Sequence, residues 1–129
     1  MHITLTTRQL AELEDLAKQS LPNESCALLL GKESSVVEVL TIANAGLSEV
    51  SFTIPSEELL TAYKLAESKE LEVIGIFHSH PSSPVPSRTD EKYMEINPVV
   101  WLIYSTTQNR FGAWVFDDKV REVKMVVRA

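Results

Sequence analysis

Apolar residues recur with helical spacing near the start of the chain. Leu10, Leu13 and Ala17 form one stripe, bordered by Leu16, and predict a helix over Thr6 to Ser20. Thr6 and Gln9 have the three-residue separation of a capping box, and Pro22 biases Leu21 away from helix and closes the element. Ser25 to Gly31 and Val36 to Ala43 then read as strands around the polar stretch Lys32-Glu33-Ser34-Ser35, which predicts a hairpin. Asn44 to Ser51 is loop-like, and Phe52-Thr53-Ile54 is a short extended piece. A second helix is expected from near Ser56. Glu57 and Glu58 suit its positive N-terminal end, Lys69 lies near its C-terminal end, and Leu59, Leu60, Tyr63 and Ala66 are available for its buried face.

Leu71 to Phe77 is nearly continuous in apolar character, the pattern of an interior strand covered on both faces. Glu91 to Ile96 reads as a short helical piece ended by Asn97-Pro98. Val99 to Ser105, Phe111 to Phe116 and Val120 to Val127 read as further strands, with Asp117-Asp118-Lys119 as the last turn. The sum is about six strands and two main helices, an α+β or mixed α/β sandwich rather than a regular βαβ series.

The chain has 129 residues, the size of one domain spanning 1–129 with a real hydrophobic core. A net charge of −6 opposes a nucleic-acid partner, because phosphate binding needs a basic face. Cys26 is the sole cysteine, which excludes an internal disulfide and a cysteine-based zinc site. No apolar run approaches a membrane span, and Met1-His2-Ile3-Thr4-Leu5 lacks the layout of a signal peptide. A cytoplasmic protein with neither membrane nor nucleic-acid partner is expected.

The chemistry concentrates in residues 78–90, His-Ser-His-Pro-Ser-Ser-Pro-Val-Pro-Ser-Arg-Thr-Asp. His78 and His80 follow an apolar strand two residues apart, so both imidazoles face one side. Pro81 removes a backbone donor and stops the strand as the second imidazole is presented. Asp90 can return across the proline-rich loop. Two imidazoles and a carboxylate suit Zn²⁺, and three protein ligands leave a fourth position for water. Ser87 and Asp90 also read as the start of a short helix, Ser87 as cap. That role is compatible with the first, because it would fix Asp90 toward the metal and hold Ser87 close to the open position. Hydrolysis needs a base. Glu24, at the mouth of the apolar strand Ala27-Leu28-Leu29-Leu30-Gly31, is one candidate among many carboxylates, and a solvated loop residue is its ordinary alternative.

Glu24 before a strand, His-Ser-His-Pro at 78–81 and Ser-x-x-Asp at 87–90 together resemble the JAMM motif of MPN+ metalloproteases, of a compact archaeal or bacterial type. Pro22-Asn23-Glu24-Ser25-Cys26 and Ala113-Trp114 are similar to the family's surroundings, and the resemblance runs from about Thr6 to Val127. Two departures stand out: six residues, not the family's usual seven, separate His80 from Ser87, and Ala27 stands where many relatives carry Gly.

The resemblance implies an MPN domain with a mixed, curved sheet and a zinc isopeptidase. Such enzymes hydrolyse the amide after the C-terminal Gly-Gly of ubiquitin or a ubiquitin-like protein. His78, His80 and Asp90 would hold the metal, Glu24 would act as base then acid, and Ser87 would donate to the oxyanion. Val50, Ser51, Phe52 and Thr53, at the position of the family's first insertion, would add as a strand to the substrate tail. Cys26 reads as a small buried residue near the site, not as a nucleophile. A hydrolase of the same fold acting on a sulfur-carrier tail or small peptide is the alternative, and a non-catalytic assembly module the next.

Overall fold

A computed structural model describes residues 1–42 and 56–129. The expected loop and extended piece between Asn44 and Ile54, with Val50, Ser51, Phe52 and Thr53, lie outside the described residues. In chain order the described elements are β1 (His2–Thr6), α1 (Thr7–Ser20), β2 (Cys26–Lys32), β3 (Ser35–Ile42), α2 (Ser56–Ser68), β4 (Glu72–His80), α3 (Arg88–Ile96), β5 (Val100–Ser105), β6 (Arg110–Asp117), β7 (Lys119–Glu122) and β8 (Lys124–Arg128). The capping box of α1 forms as expected: Gln9 N–H donates to Thr6 Oγ1 at 3.1 Å, and Thr6 N–H donates to Gln9 Oε1 at 2.9 Å.

All the described strands join one mixed sheet in the order β7-β6-β5-β4-β2-β3-β1-β8. Strands β2 and β3 form the expected antiparallel hairpin, with Glu33 at φ 53° in its turn. β4 lies in the interior, antiparallel to β2 and parallel to β5.

Among the described residues the expected six strands become eight, for two reasons. The N-terminal His2–Thr6 is itself a strand, its Ile3 and Leu5 buried and its backbone parallel to β3 and β8. The stretch expected as one strand, Val120 to Val127, divides at Val123. Its first half pairs with β6 and its second half with β1, and Val123 N–H donates to the Ala113 carbonyl at 2.8 Å between them. One chain segment thus links the two ends of the sheet and leaves it curved.

Strand alternation sends β2 to both sides of the sheet. Ala27 and Leu29 pack with Phe77, Leu102 and Tyr104 beneath Leu13 and Ala17 of α1. Cys26, Leu28 and Leu30 pack with Ile76 and Trp101 beneath Ala62 and Ala66 of α2 and Met94 of α3. This explains why β2 and β4 are apolar almost throughout. The buried face of α2 differs from the expected one. Ala62 and Ala66 are buried and Leu59 is partly so, whereas Leu60 and Tyr63 are 57% and 46% exposed. The sheet admits small residues here, so the alanines, rather than the larger apolar residues, set the helix's contact line.

Candidate metal centre and active site

β4 ends at His80, with Pro81 next. By strand alternation His78 and His80 share the α2–α3 face with Ile76. Their rings meet edge to face, with centroids 4.5 Å apart, and both residues are buried. The indole of Trp101, from the neighbouring β5, stands edge-on to His78 at 6.0 Å. On the other flank β2 pairs Cys26 with His78, and this register places Glu24, itself 5% exposed, beside the imidazole. One Glu24 oxygen lies 3.6 Å from His78 Nδ1.

Asp90 arrives from α3. The helix begins at Arg88, three residues before the Glu91 expected from its helical stretch, with Ser87 as its cap, the second role expected of that residue. Asp90 N–H donates to Ser87 Oγ at 3.1 Å, and Ser87 N–H donates to Asp90 Oδ2 at 2.9 Å, a reciprocal capping box. The same Oδ2 lies 3.1 Å from His78 Nε2 and 3.0 Å from His80 Nε2. The six-residue loop from Pro81 to Pro86 is therefore long enough to bring Asp90 to both imidazoles. Ser87, which is exposed, uses its oxygen as an acceptor within the cap, so its hydroxyl proton remains available to a substrate atom.

The loop between is pinned at several points. His80 Nδ1 lies 3.3 Å from the Ser83 carbonyl. A carbonyl can only accept, so Nδ1 carries a proton there and Nε2 is the atom turned to the site. Thr106 N–H donates to the His80 carbonyl at 2.8 Å, and Thr107 Oγ1 to that of Pro81 at 2.7 Å. Trp114 Nε1 donates to the Pro84 carbonyl at 2.7 Å.

Two imidazole nitrogens facing one carboxylate oxygen near 3 Å need either N–H hydrogens or a metal ion between them, since bare lone pairs would otherwise oppose each other. Burial by itself lowers the pKa of His78. Hydrogen bonding and charge from Asp90 and Glu24 outweigh burial and raise it to about 9. Burial likewise raises the Asp90 carboxyl, but hydrogen bonds from His78, His80 and the Ser87 amide hold it well below the usual carboxylate range. A buried pocket with two carboxylates against two imidazoles favours a cation. Ligand atoms of Glu24, His78 and His80 also lie within 4.8 Å of one another, so all four side chains bear on one small volume. The donor set fits zinc, for which imidazole nitrogen and carboxylate oxygen are ordinary ligands. Burial, with Glu58 adding charge repulsion, pushes the Cys26 thiol far above its ordinary pKa. It is an inert buried residue against the site, as expected.

All five core residues expected from the sequence, Glu24, His78, His80, Ser87 and Asp90, are thus brought together. Sequence reasoning missed the residues that hold them: Ser25, Ser79, Trp101, Thr106 and Thr107 contribute through pairings distant in the chain. The Trp101 signal was present, since an indole inside a buried strand needs a polar partner. It finds the Asn97 carbonyl at 3.2 Å.

The family model for prokaryotic homologues of the JAB domain matches residues 6–117. A desampylase of Pyrococcus furiosus is 43% identical over 107 residues, covering 81% of this chain and 76% of its own length. A desampylase of Haloferax volcanii is 30% identical over 110 residues, covering 82% and 79%. Among solved structures, a protein of Desulfitobacterium hafniense superposes with a TM-score of 0.86 at 31% identity, over 98% of this chain and 92% of the other. A structure described as a JAMM metalloprotease-like zinc site in the proteasome and signalosome superposes at 0.66, with 20% identity and full coverage of both chains, and shares the fold. With two thirds or more of each curated relative covered, the chain belongs to the prokaryotic JAB family and is a hydrolase of the JAMM isopeptidase kind.

Proposed function

We propose that this protein is a zinc isopeptidase that cleaves the amide after the C-terminal Gly-Gly of a ubiquitin-like protein. The observation that carries the reading is the single Asp90 oxygen set between His78 Nε2 and His80 Nε2, with the Glu24 carboxylate beside them. The activity of the two desampylase relatives supports the substrate class.

His78, His80 and Asp90 would hold the metal. Zinc bound there supplies Lewis-acid polarisation of water and of the scissile carbonyl. The chain's own residues do the rest. Glu24 takes a proton from the attacking water and delivers it to the leaving lysine amine as the C–N bond breaks. Ser87 donates its hydroxyl proton to the carbonyl oxygen as negative charge develops there. His80 stays oriented by the Ser83 carbonyl, and the indole of Trp101 excludes water from one side of His78. The slim, extended Gly-Gly tail suits a site at the end of a buried strand, with Val50, Ser51, Phe52 and Thr53 assigned to pair with it.

The test uses zinc-loaded protein and a panel of diglycine-ended conjugates, including a ubiquitin-like protein on a lysine side chain, a sulfur-carrier tail and a short peptide. Cleavage of the protein conjugates is expected. Glu24→Gln should retain zinc while turnover falls by roughly 10²–10⁴-fold, the range for a lost general base. The His78→Ala, His80→Ala double variant should lose the metal. Zinc retained by that variant, or full turnover in Glu24→Gln, overturns the assignment. Cleavage confined to the short peptide or the sulfur-carrier tail would move the substrate class.

A further inference from the structure

Ser79 lies between the two histidines, and strand alternation turns its side chain to the face opposite theirs. It is 2% exposed, as is Ser25, the residue immediately after Glu24. Ser25 N–H donates to Ser79 Oγ at 2.9 Å, the two hydroxyls share a hydrogen bond at 2.9 Å, and Ser79 N–H donates to the Ser25 carbonyl at 3.3 Å. The residue-by-residue pairing of β2 with β4 ends at Cys26 and His78. Immediately beyond that point one long backbone bond remains, and the Ser79 hydroxyl supplies the shorter second tie by accepting the Ser25 N–H.

A buried pair of apolar residues could fill this space, but it could not accept the Ser25 N–H, and that buried amide left unpaired would cost about 1–3 kcal/mol. That amide is one residue from Glu24, and Ser79 is one residue from each histidine. The bond therefore sets the separation between the base and the histidines, observed as 3.6 Å from Glu24 to His78.

We propose that Ser79 is a positioning residue: its hydroxyl, by accepting the Ser25 amide, holds the Glu24 carboxylate at its working distance from His78. Ser25 plays the lesser part, because its hydroxyl only completes the hydrogen bonding of Ser79. The proposal rests on the reading of Glu24 as the base.

The two partners predict unequal variants. Ser79→Ala removes the acceptor of the amide, and kcat should fall by roughly 10- to 100-fold, the scale on which small misplacements of catalytic groups act. KM and zinc stoichiometry should stay as in the unaltered enzyme. Ser25→Ala keeps its own N–H bonded to Ser79 and should cost no more than about 3-fold. The double variant should match Ser79→Ala, and Ser79→Thr, which keeps the hydroxyl, should restore most of the turnover. Ser79→Cys, nearly isosteric but a weak acceptor, repeats the test if the alanine variant does not fold.

Two readouts need no substrate. In metal-free protein the Ser25 amide should exchange faster in Ser79→Ala but not in Ser25→Ala, and the His78 Nδ1 resonance should move only in Ser79→Ala. Full kcat in Ser79→Ala, equal damage from both single variants, or zinc lost in step with kcat overturns the proposal. An unaltered enzyme that cleaves no conjugate overturns the isopeptidase reading instead. The exchange and resonance pattern then decides the positioning claim on its own, and an unmoved His78 signal in Ser79→Ala rejects it.

Discussion

Gly112 is where β6 presses on the Pro81–Pro86 loop that leads to Ser87 and Asp90. It lies on β6 opposite Ile103, and a Cβ added there would stand 2.7 Å from Trp114 Nε1 and closer still to the Pro84 carbonyl oxygen. Real Cβ contacts essentially never come under 3.0 Å, so Gly112→Ala forces the carbonyl to move. A retreat of roughly half an ångström or more is needed, in an interior packed too densely to absorb it freely. The same carbonyl accepts the Trp114 indole N–H at 2.7 Å, and that bond is strained by the movement. Overpacking costs about 1–3 kcal/mol and the weakened hydrogen bond about 1 kcal/mol, so Gly112→Ala should lose about 2–4 kcal/mol. Trp114→Phe leaves the backbone in place and removes the hydrogen bond, so about 1 kcal/mol is its share. Urea unfolding of the three metal-free proteins measures both. Turnover should report the same displacement downstream. Pro84 precedes the Ser87 cap by three residues, and a shift reaching Asp90 lowers kcat by about 10-fold or more. A Gly112→Ala protein with the wild-type urea midpoint would show that the loop yields without cost, and the reasoning would fail.

The metal-free protein should be most stable in mildly acidic solution. The folded-state pKa of His78 is raised from 6.5 to about 9, so its contribution is full below pH 6.5 and is lost as pH rises through 9. Asp90, depressed in the folded state, shares the same ion pair and withdraws its part as pH falls through the acid range. Urea midpoints of metal-stripped protein at pH 6 and pH 9.5 check the sign, and a higher midpoint at pH 9.5 contradicts it. At the far end of the chain Thr6→Ala removes the acceptor of the Gln9 amide and should cost about 1 kcal/mol while zinc content and turnover stay unchanged. A fall in zinc binding there would mean that α1 couples to the site.

The parts of this protein that can be read from its sequence are those fixed by neighbours in the chain. His78 and His80 are two apart on a strand, and that spacing alone dictates a shared face. Ser87 and Asp90 are three apart, and capping stereochemistry alone turns Asp90 back across the helix start. The shortened loop costs nothing in this respect, because the cap rather than the loop orients the carboxylate. The first helix was equally local, its cap and stripe both visible in Thr6, Gln9, Leu13 and Ala17.

What could not be read is fixed by partners distant in sequence. Val120 to Val127 is rich in β-branched residues and reads as one strand, and nothing local says that β6 takes its first half and β1 its second. Leu60 and Tyr63 look like core by composition, yet the sheet opposite α2 leaves room for alanine. Ser79 shows the limit most clearly. Between two ligand-type residues a small serine reads as a spacer. Its role depends on Ser25, 54 positions away, meeting it where the β2–β4 ladder ends. The histidines and Asp90 owe their convergence to local rules. Glu24 reaches them through register between two strands and, at its last step, through one hydroxyl. The base is thus the member of the site whose placement depends most on the rest of the fold. A substitution at the β2–β4 junction should therefore lower turnover before it lowers zinc affinity.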